Sequence, residues 1–435
     1  MDEGTTVNGS RGGRRIGAAF TALRHRNYRL FFIGQCVSLI GTWMQSIGQS
    51  WLVLTLTEGQ PDAPFKLGLV TALQFLPMLL FALFAGTFVD RFPKRRVLLA
   101  TQSILAVLAV ALATLTLTDA VRYWHICALA VLLGLVNTID MPTRQAFFVE
   151  MVGREDLMNA IGLNSTIFNL ARIVGPAIAG SLIGLIGIAP CFYLNAASFL
   201  AVIAGLAMMR LPDAPVRKSE ARTFRGVAAE AAEGLAYVRR NPELLYPLLL
   251  LAVVNVFVIN FSVMIPLFAT QRLGQDATGY GLLMTSLGLG SFLGALRIAA
   301  TSRKGPSRVV LFGGAAGTSV LVAVAGFQTV YAVACAVLVA VGFFTISFVT
   351  TVNTTVQLAT EDRMRGRVMS LYTLVFGGFT PFGSLYAGKF TELAGVTGCM
   401  AASGAIGLAG TLAVLLLLRR SARRPQAVAS EPPLP

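Results

Sequence analysis

The residues in this sequence with the clearest capacity for chemistry are charges placed between long apolar runs. Residues 86 to 99 read GTFVDRFPKRRVLL, so an acid and four bases occupy the positions from Asp90 to Arg96. Asp90 falls at the end of an apolar run, where a helix exposes unpaired carbonyls and a partial negative charge. A carboxylate is unfavourable there unless a cation is paired with it. The stretch therefore predicts an ion pair at Asp90 in addition to simple anchoring by the bases.

A second set of polar residues lies inside the apolar runs. Arg172 is about 13 residues into the run from 159 to 187, or roughly 20 Å from its end. A buried guanidinium costs several kcal/mol at that depth, so Arg172 should face either a cavity or a structural partner. Polar groups flanked by aromatic rings suit a large amphipathic ligand, although each one also suits an ordinary interhelical hydrogen bond. The other candidates for a substrate cavity are Gln45, Gln49, Asn164, Asn169, Asn255, Asn260 and Phe261.

The sequence contains no pattern typical of a catalytic or metal site. Its five cysteines lie inside apolar runs without a CxxC spacing, which is typical of small buried residues. It has no nucleophile with a base and no phosphate-binding loop. We therefore expect no metal, no cofactor and no enzymatic activity. Protons are a candidate coupling ion. However, we expect no acid at mid-depth in the apolar runs, since Asp140 is expected near the end of its run, at one rim of the membrane.

The composition requires a membrane. Of 435 residues, 55% are hydrophobic and only 13% are charged, against roughly 25% charged in soluble domains. A membrane helix needs about 20 mostly apolar residues. The apolar runs predict an all-α membrane protein with twelve spans, at approximately 30–56, 67–89, 97–117, 122–143, 159–187, 190–209, 244–271, 278–300, 309–326, 330–352, 367–391 and 398–418.

The basic residues are divided unequally between the two sides of these spans. Of the 35 Lys and Arg residues, 29 lie on the tails and on alternate links. This positive-inside pattern predicts a multi-pass protein in a lipid bilayer, with both termini and the long central loop in the cytoplasm. The net charge of +15 would otherwise suggest a nucleic acid as partner. Its spread over short links without interleaved aromatic residues argues against one.

The chain reads as two related halves joined by a linker. We expect a first six-helix unit with its tail over 1–210, a linker over 211–243 and a second unit with its tail over 244–435. Apolar residues at helical spacing in the linker predict either a surface amphipathic helix or an ordinary solvated one. Shifting the first half by 213 positions matches Pro93 with Pro306 and Arg95 with Arg308. Such a parallel duplication is a common plan for transporters.

The charged link resembles the signature of the major facilitator superfamily, whose pattern is matched by Gly86, Asp90, Arg91, Lys94 and Arg95. Pro93 stands in place of the usual glycine. The resemblance implies the major facilitator fold, two pseudo-symmetric bundles of six helices. It implies that Asp90 pairs across to the other half and that Lys94 joins a relay with Asp140. On this basis, the cytoplasmic gate also includes Arg144, Arg363, Gly366 and Arg367.

Longer stretches resemble one branch of that superfamily, which contains the bacterial enterobactin exporter and related transmembrane secretion proteins. These stretches are residues 27–45, 141–180 and 363–372. Gly175, Pro176 and Gly180 are similar to a pattern that marks exporters, although small residues and a proline also serve simple tight packing.

Together these features predict a secondary transporter of the bacterial inner membrane. We expect a monomer that exports a hydrophobic or amphipathic small molecule, either a siderophore or a drug-like compound, by alternating access. A metabolite importer of the same fold is the main alternative, and a sensor that transports nothing is a weaker one.

Overall fold

The computed structural model describes residues 20–89, 92–210, 224–301 and 305–423. In this part of the chain all regular secondary structure is helical, as predicted. After a short 3-10 turn at Thr21–Arg24, six long helices follow: α1 (Arg26–Leu56), α2 (Ala63–Val89), α3 (Lys94–Leu117), α4 (Tyr123–Val152), α5 (Leu157–Ile186) and α6 (Ala189–Ala207). Each is long and apolar enough to cross a bilayer.

A polar helix, α7 (Phe224–Arg240), precedes the second set of spans. That set consists of α8 (Pro242–Phe257), α9 (Phe261–Leu267), a π turn at Phe268–Arg272, α10 (Ala277–Thr301), α11 (Arg308–Gly326), α12 (Tyr331–Ala359), α13 (Arg365–Thr373), a second π turn at Leu374–Gly378, and α14 (Thr380–Arg423). The segment predicted as one continuous span at 244–271 is therefore interrupted between α8 and α9.

The last helix turns back within the membrane. α14 has 44 residues, which correspond to about 66 Å at 1.5 Å per residue. Gly395 breaks it with a φ of 71° and a ψ of 167°, a backbone conformation that glycine adopts without strain. Eleven helical segments in the described residues are long and apolar enough to span a bilayer. The last of them crosses twice, which accounts for the twelve predicted spans.

The two sets of spans pack in the same order. In the first set α2 packs against α4, and α3 packs against α6. In the second set α10 packs against α12, and α11 packs against α14. The second and fourth spans are thus paired in each set, as are the third and sixth. This recurrence is the packing that a duplicated six-helix unit would produce.

The ends of the helices define two faces of the molecule. We call one end the basic face, and it is formed by Arg26, Val89, Lys94, Val152, Leu157, Thr301 and Arg365. We call the other end the opposite face, and it is formed by Leu56, Ala63, Ile186, Ala189 and Ala277.

The two sets approach each other most closely near the opposite face. A β-carbon on Gly281 of α10 would lie 2.5 Å from the carbonyl oxygen of Pro176 on α5. Around the other side of the interface, a β-carbon on Gly68 of α2 would lie 2.4 Å from the carbonyl oxygen of Ser384 on α14. Glycine permits these helices to touch backbone to backbone.

Candidate functional site

A buried ionic cluster lies inside the first six helices, around Asp140 of α4. The Asp140 side chain is 3% exposed and accepts hydrogen bonds from Thr101 Oγ1 at 2.6 Å and from Gln102 Nε2 at 2.9 Å. It also forms an ion pair with Arg144 at 2.5 Å. Arg144 donates a further bond to Gln35 of α1. The cluster therefore joins α1, α3 and α4, and it neutralises the carboxylate where it is buried.

The relay that the family resemblance implied between Lys94 and Asp140 is not formed. Lys94 Nζ instead contacts Glu150 Oε1 at 2.7 Å. Thr101, which contacts Asp140, lies seven residues beyond Lys94 on α3, or about 10 Å further into the bundle, so the ammonium cannot reach the cluster. Sequence reasoning missed Glu150, although its place at the basic end of α4, opposite the basic link that holds Lys94, was a usable signal.

The rest of the predicted gate in the first half anchors helices or lies outside the described residues. Arg95 donates to the backbone carbonyls of Leu206 at 2.7 Å and Ala207 at 2.8 Å, at the end of α6. Gly86 lies in the last turns of α2. Asp90 and Arg91 lie outside the described residues.

The charge pair at the start of α3 gives a direct test of this placement. Lys94 and Glu150 side chains are 21% and 32% exposed, so Lys94→Glu should cost about 1 kcal/mol of stability through like-charge repulsion. Adding Glu150→Lys should restore the pair and most of the loss. Thermal unfolding of the single and double variants in lipid nanodiscs measures both effects. A double variant no more stable than Lys94→Glu would contradict the contact.

The predicted gate residues of the second half contact the linker helix. Arg367 Nη1 pairs with Glu233 of α7 at 2.6 Å, and Gly234 of α7 packs against the backbone of Arg367. Arg363 and Gly366 are exposed. This arrangement attaches α7 to the start of α13.

A further polar contact fixes the start of α1. The ring of His25 hydrogen-bonds to the carboxylate of Asp156 at 2.7 Å. This bond lowers the pKa of Asp156 below its ordinary value, because it stabilises the charged carboxylate. The contact joins the beginning of α1 to the link before α5 at the basic face.

Arg172 lies at the middle of α5, and no acid among the described residues forms an ion pair with its guanidinium. Its Nε atom is buried without a hydrogen-bond partner. The guanidinium stands over the Trp43 ring of α1, 5.8 Å from the ring centroid. Phe168, one turn earlier on α5, meets the same ring edge-on with centroids 5.9 Å apart. Of the two expectations for Arg172, the structural partner among the described residues is an aromatic face.

The position of Arg172 marks the depth at which the two halves separate. A β-carbon on Gly288 of α10 would lie 2.7 Å from the Arg172 carbonyl oxygen, and the contacts between α5 and α10 continue from there to Gly184 near the opposite face. Towards the basic face, α5 is instead exposed at Ile161, Ser165 and Phe168. These three residues and Arg172 share one side of the helix by their spacing. We interpret this exposed side of α5, between Arg172 and the basic face, as one wall of a space between the halves.

The predicted glycine–proline motif lies on α5 between Arg172 and the opposite face, at the inner end of this space. A β-carbon on Gly175 would lie 2.5 Å from Cβ of Trp43, and one on Gly180 would lie 2.7 Å from the carbonyl oxygen of Ala277. Pro176 meets Gly281, as described above. The motif thus brings α5 against both α1 and α10.

Other candidate cavity residues of the first half form interhelical or local hydrogen bonds. Gln45 accepts a bond from Asn195 of α6, and Gln49 donates to Gln74 of α2 at 3.0 Å. Asn169 donates to the Ser165 carbonyl at 2.8 Å on its own helix, and Asn164 is half-buried. Gln45 and Gln49 thus form the ordinary interhelical hydrogen bonds that were the alternative to a substrate-binding role.

In the second half, the candidate residues lie at two irregular backbone segments. Asn260 occupies the break between α8 and α9, where its Nδ2 donates to the Val256 carbonyl at 2.7 Å. Asn255 donates to the carbonyl of Val375, at 3.2 Å, in the second π turn. Phe261 is buried at the start of α9. The break and the π turn are therefore adjacent, and irregular segments inside spans are frequently functional.

This sequence is similar to those of known membrane transporters. Residues 17–434 match the family described as transmembrane secretion effector, within the major facilitator group. The multidrug efflux pump Tap of Mycolicibacterium fortuitum is 28% identical over 383 residues, which cover 86% of this chain and 92% of that protein. The staphyloferrin A transporter of Staphylococcus aureus is 30% identical over 158 residues, covering 36% of this chain and 39% of that protein.

Solved structures show the same fold. A bacterial homologue of the human lysosomal transporter Spinster superposes with a TM-score of 0.70 at 14% identity, covering 91% of this chain and 97% of its own. An auto-inhibited peptide transporter of the POT family also gives a TM-score of 0.70, at 15% identity, covering 94% of this chain and 99% of its own. The sequence-based expectation of the major facilitator fold is confirmed. The chain belongs to the transmembrane secretion effector family of major facilitator transporters, proteins that move small molecules across bacterial membranes.

Proposed function

We propose that the protein exports an amphipathic small organic molecule from the cytoplasm by alternating access. In this proposal the basic face is the cytoplasmic one, because 29 of 35 Lys and Arg residues lie on its tails and links. The substrate enters the space below Arg172 from that side. Rocking of the two halves then closes the basic face and opens the opposite one.

The observation that carries the proposal is the asymmetry of the contact between the halves. Backbone contacts at Gly281 and Gly68 join the halves near the opposite face. On the basic side the corresponding surface of α5 is exposed from Ile161 to Phe168. In this proposal, the asymmetry corresponds to a transporter that is ready to load from the cytoplasm.

The direction of transport is supported by the relatives rather than by the geometry alone. Tap, which aligns over 86% of the chain, is a multidrug efflux pump. The macrolide efflux protein A of Streptococcus pyogenes is 22% identical and covers 88% of this chain and 95% of that protein. A resting state open to the cytoplasm suits an exporter, because it presents the empty site to its substrate.

Vesicles of known orientation test the direction. The protein is expressed in an efflux-deficient bacterium, and everted and right-side-out membrane vesicles are prepared with and without an energy source. We expect amphipathic dyes to accumulate in everted vesicles that contain the protein, above the level in vesicles that lack it. Accumulation only in right-side-out vesicles would identify an importer and contradict the proposal.

A further inference from the structure

We propose that Arg172 binds an anionic group of the transported molecule, a carboxylate or an ionised phenol carried on an aromatic or apolar body. This inference rests on the proposed function, since it assigns the class of substrate that enters the space between the halves. Arg172 lies in the middle of a span and forms no ion pair with the residues that the structure describes.

The guanidinium of Arg172 has hydrogen-bonding capacity that a ligand could satisfy. Its Nε is buried without a hydrogen-bond partner, and its one described contact is the face of Trp43 at 5.8 Å. A cation–π contact offsets only part of the cost of holding a charge away from water. A guanidinium also presents several donors in a planar fork, which matches a carboxylate in a bidentate geometry.

The location allows a ligand to reach this group. Arg172 keeps part of its surface exposed although its Nε is buried, and it stands where the contact between α5 and α10 begins at Gly288. Ile161, Ser165 and Phe168 extend from it along the exposed side of α5 towards the basic face. A molecule that entered from that face would meet Arg172 at the inner end of its path, beside the Trp43 and Phe168 rings.

The surrounding charges favour an anion over a cation. In the parts of the spans that the structure describes, the acid nearest this depth is Asp140, and it is bound to Arg144 within the first six helices. Glu150 and Glu392, which lie nearer the two faces, pair with Lys94 and Lys389. A cationic drug would therefore find no free carboxylate among these groups, whereas an anion would find Arg172. The aromatic pair beside it suits a flat ring on the same molecule.

Two dyes that share one ring system but differ in charge provide the test. Fluorescein is anionic at neutral pH, and tetramethylrhodamine ethyl ester is a cation whose carboxylate is blocked. Binding of each dye to the purified full-length protein in nanodiscs is measured by fluorescence anisotropy, with empty nanodiscs subtracted. We expect fluorescein to bind at least about tenfold more tightly than the ester, the range of one charge-assisted hydrogen bond.

Three variants assign that preference to its residue. Arg172→Gln should reduce the preference to about twofold or less, and Arg172→Lys should keep part of it because the charge remains. Arg297→Gln is the matched control, since Arg297 is the other arginine inside a predicted span and is exposed near the basic end of α10, over Phe343. It should keep the preference of the wild type. Thermal unfolding of each variant reports whether it is folded.

The outcomes separate this inference from the proposed function. Failure of wild-type protein to bind fluorescein, or a preference for the cationic ester, overturns the inference even where Arg172→Gln does not fold. An unchanged preference in folded Arg172→Gln, or an equal loss in Arg297→Gln, also overturns it. Because binding does not depend on the direction of transport, dye accumulation in right-side-out vesicles alone would overturn the proposed export and leave the anion site standing.

Discussion

Replacing Asp140 by alanine should destabilise the protein by about 3–5 kcal/mol, the cost of breaking a buried ion pair on one side. The substitution leaves Arg144 charged and without its ion-pair partner, with its side chain only 16% exposed. It also removes the acceptor for Thr101 and Gln102, which both donate to the carboxylate. Reversible unfolding of the purified protein in mixed micelles measures the loss.

A second variant shows whether the loss comes from the stranded arginine. Asp140→Ala with Arg144→Met removes both charges, and replacing a buried ion pair by apolar groups is often close to neutral. We expect this double variant to recover most of the stability. Glu150→Ala is the comparison, since it breaks a partly exposed pair and should cost at most about 1 kcal/mol. Equal losses from Asp140→Ala and Glu150→Ala would show that Asp140 is not the buried anchor described here.

Replacing Gly281 by leucine should reduce the initial rate of transport by about fivefold or more. The new side chain would begin 2.5 Å from the carbonyl oxygen of Pro176, and a clash with backbone cannot be relieved by a change of rotamer. Overpacking of this kind costs about 1–3 kcal/mol, and each 1.4 kcal/mol is a tenfold change in population. The variant should therefore depopulate the state that is closed at the opposite face. Dye accumulation in everted vesicles measures the rate.

The control for this prediction is another glycine in a transmembrane helix. Gly313 of α11 is exposed, and a β-carbon there would meet no atom within 4 Å. Gly313→Leu introduces the same side chain without a wedge, so its transport should match the wild type. A wild-type rate in Gly281→Leu, at equal amounts of protein in the membrane, would contradict the close contact.

The large features of the fold could be predicted because they follow from burial. Twenty or more apolar residues between polar links have one common solution in a bilayer. The twelve runs are helical, although the run at 244–271 is interrupted and the helix predicted to end at 143 continues to Val152. The turn at Gly395 separates the last two runs, where the sequence has a short polar link. The depth of Arg172 was also predictable, since helix rise converts residue number directly into distance.

Side-chain partners could not be predicted in the same way. Gln45 and Gln49 share a helix face, but only the packing of α6 and α2 against α1 shows that Asn195 and Gln74 occupy their amides. The sequence offers Lys94 two acids on α4, Asp140 and Glu150, and the rise of α3 brings Glu150 within its reach.

The irregular backbone at 258–260 and 374–378 could not be predicted, because no local sequence pattern marks it as clearly as the apolar runs mark the helices. Apolar residues flank both segments, and the Asn255 contact that joins them is a tertiary one.

The central claim is that the two halves exchange contact between the two faces. Distances between spin labels measure this exchange, with one label of each pair on α5 and the other on α10 or the first π turn, in a background without native cysteines. One pair joins Met158 to Leu296 towards the basic face, and the other joins Leu185 to Gln271 near the opposite face; all four side chains are exposed. We expect two populations of the protein, in which a shorter distance at the basic face accompanies a longer one at the opposite face. Substrate should shift their ratio. A distance at the opposite face that stays single and unchanged while transport proceeds would contradict it.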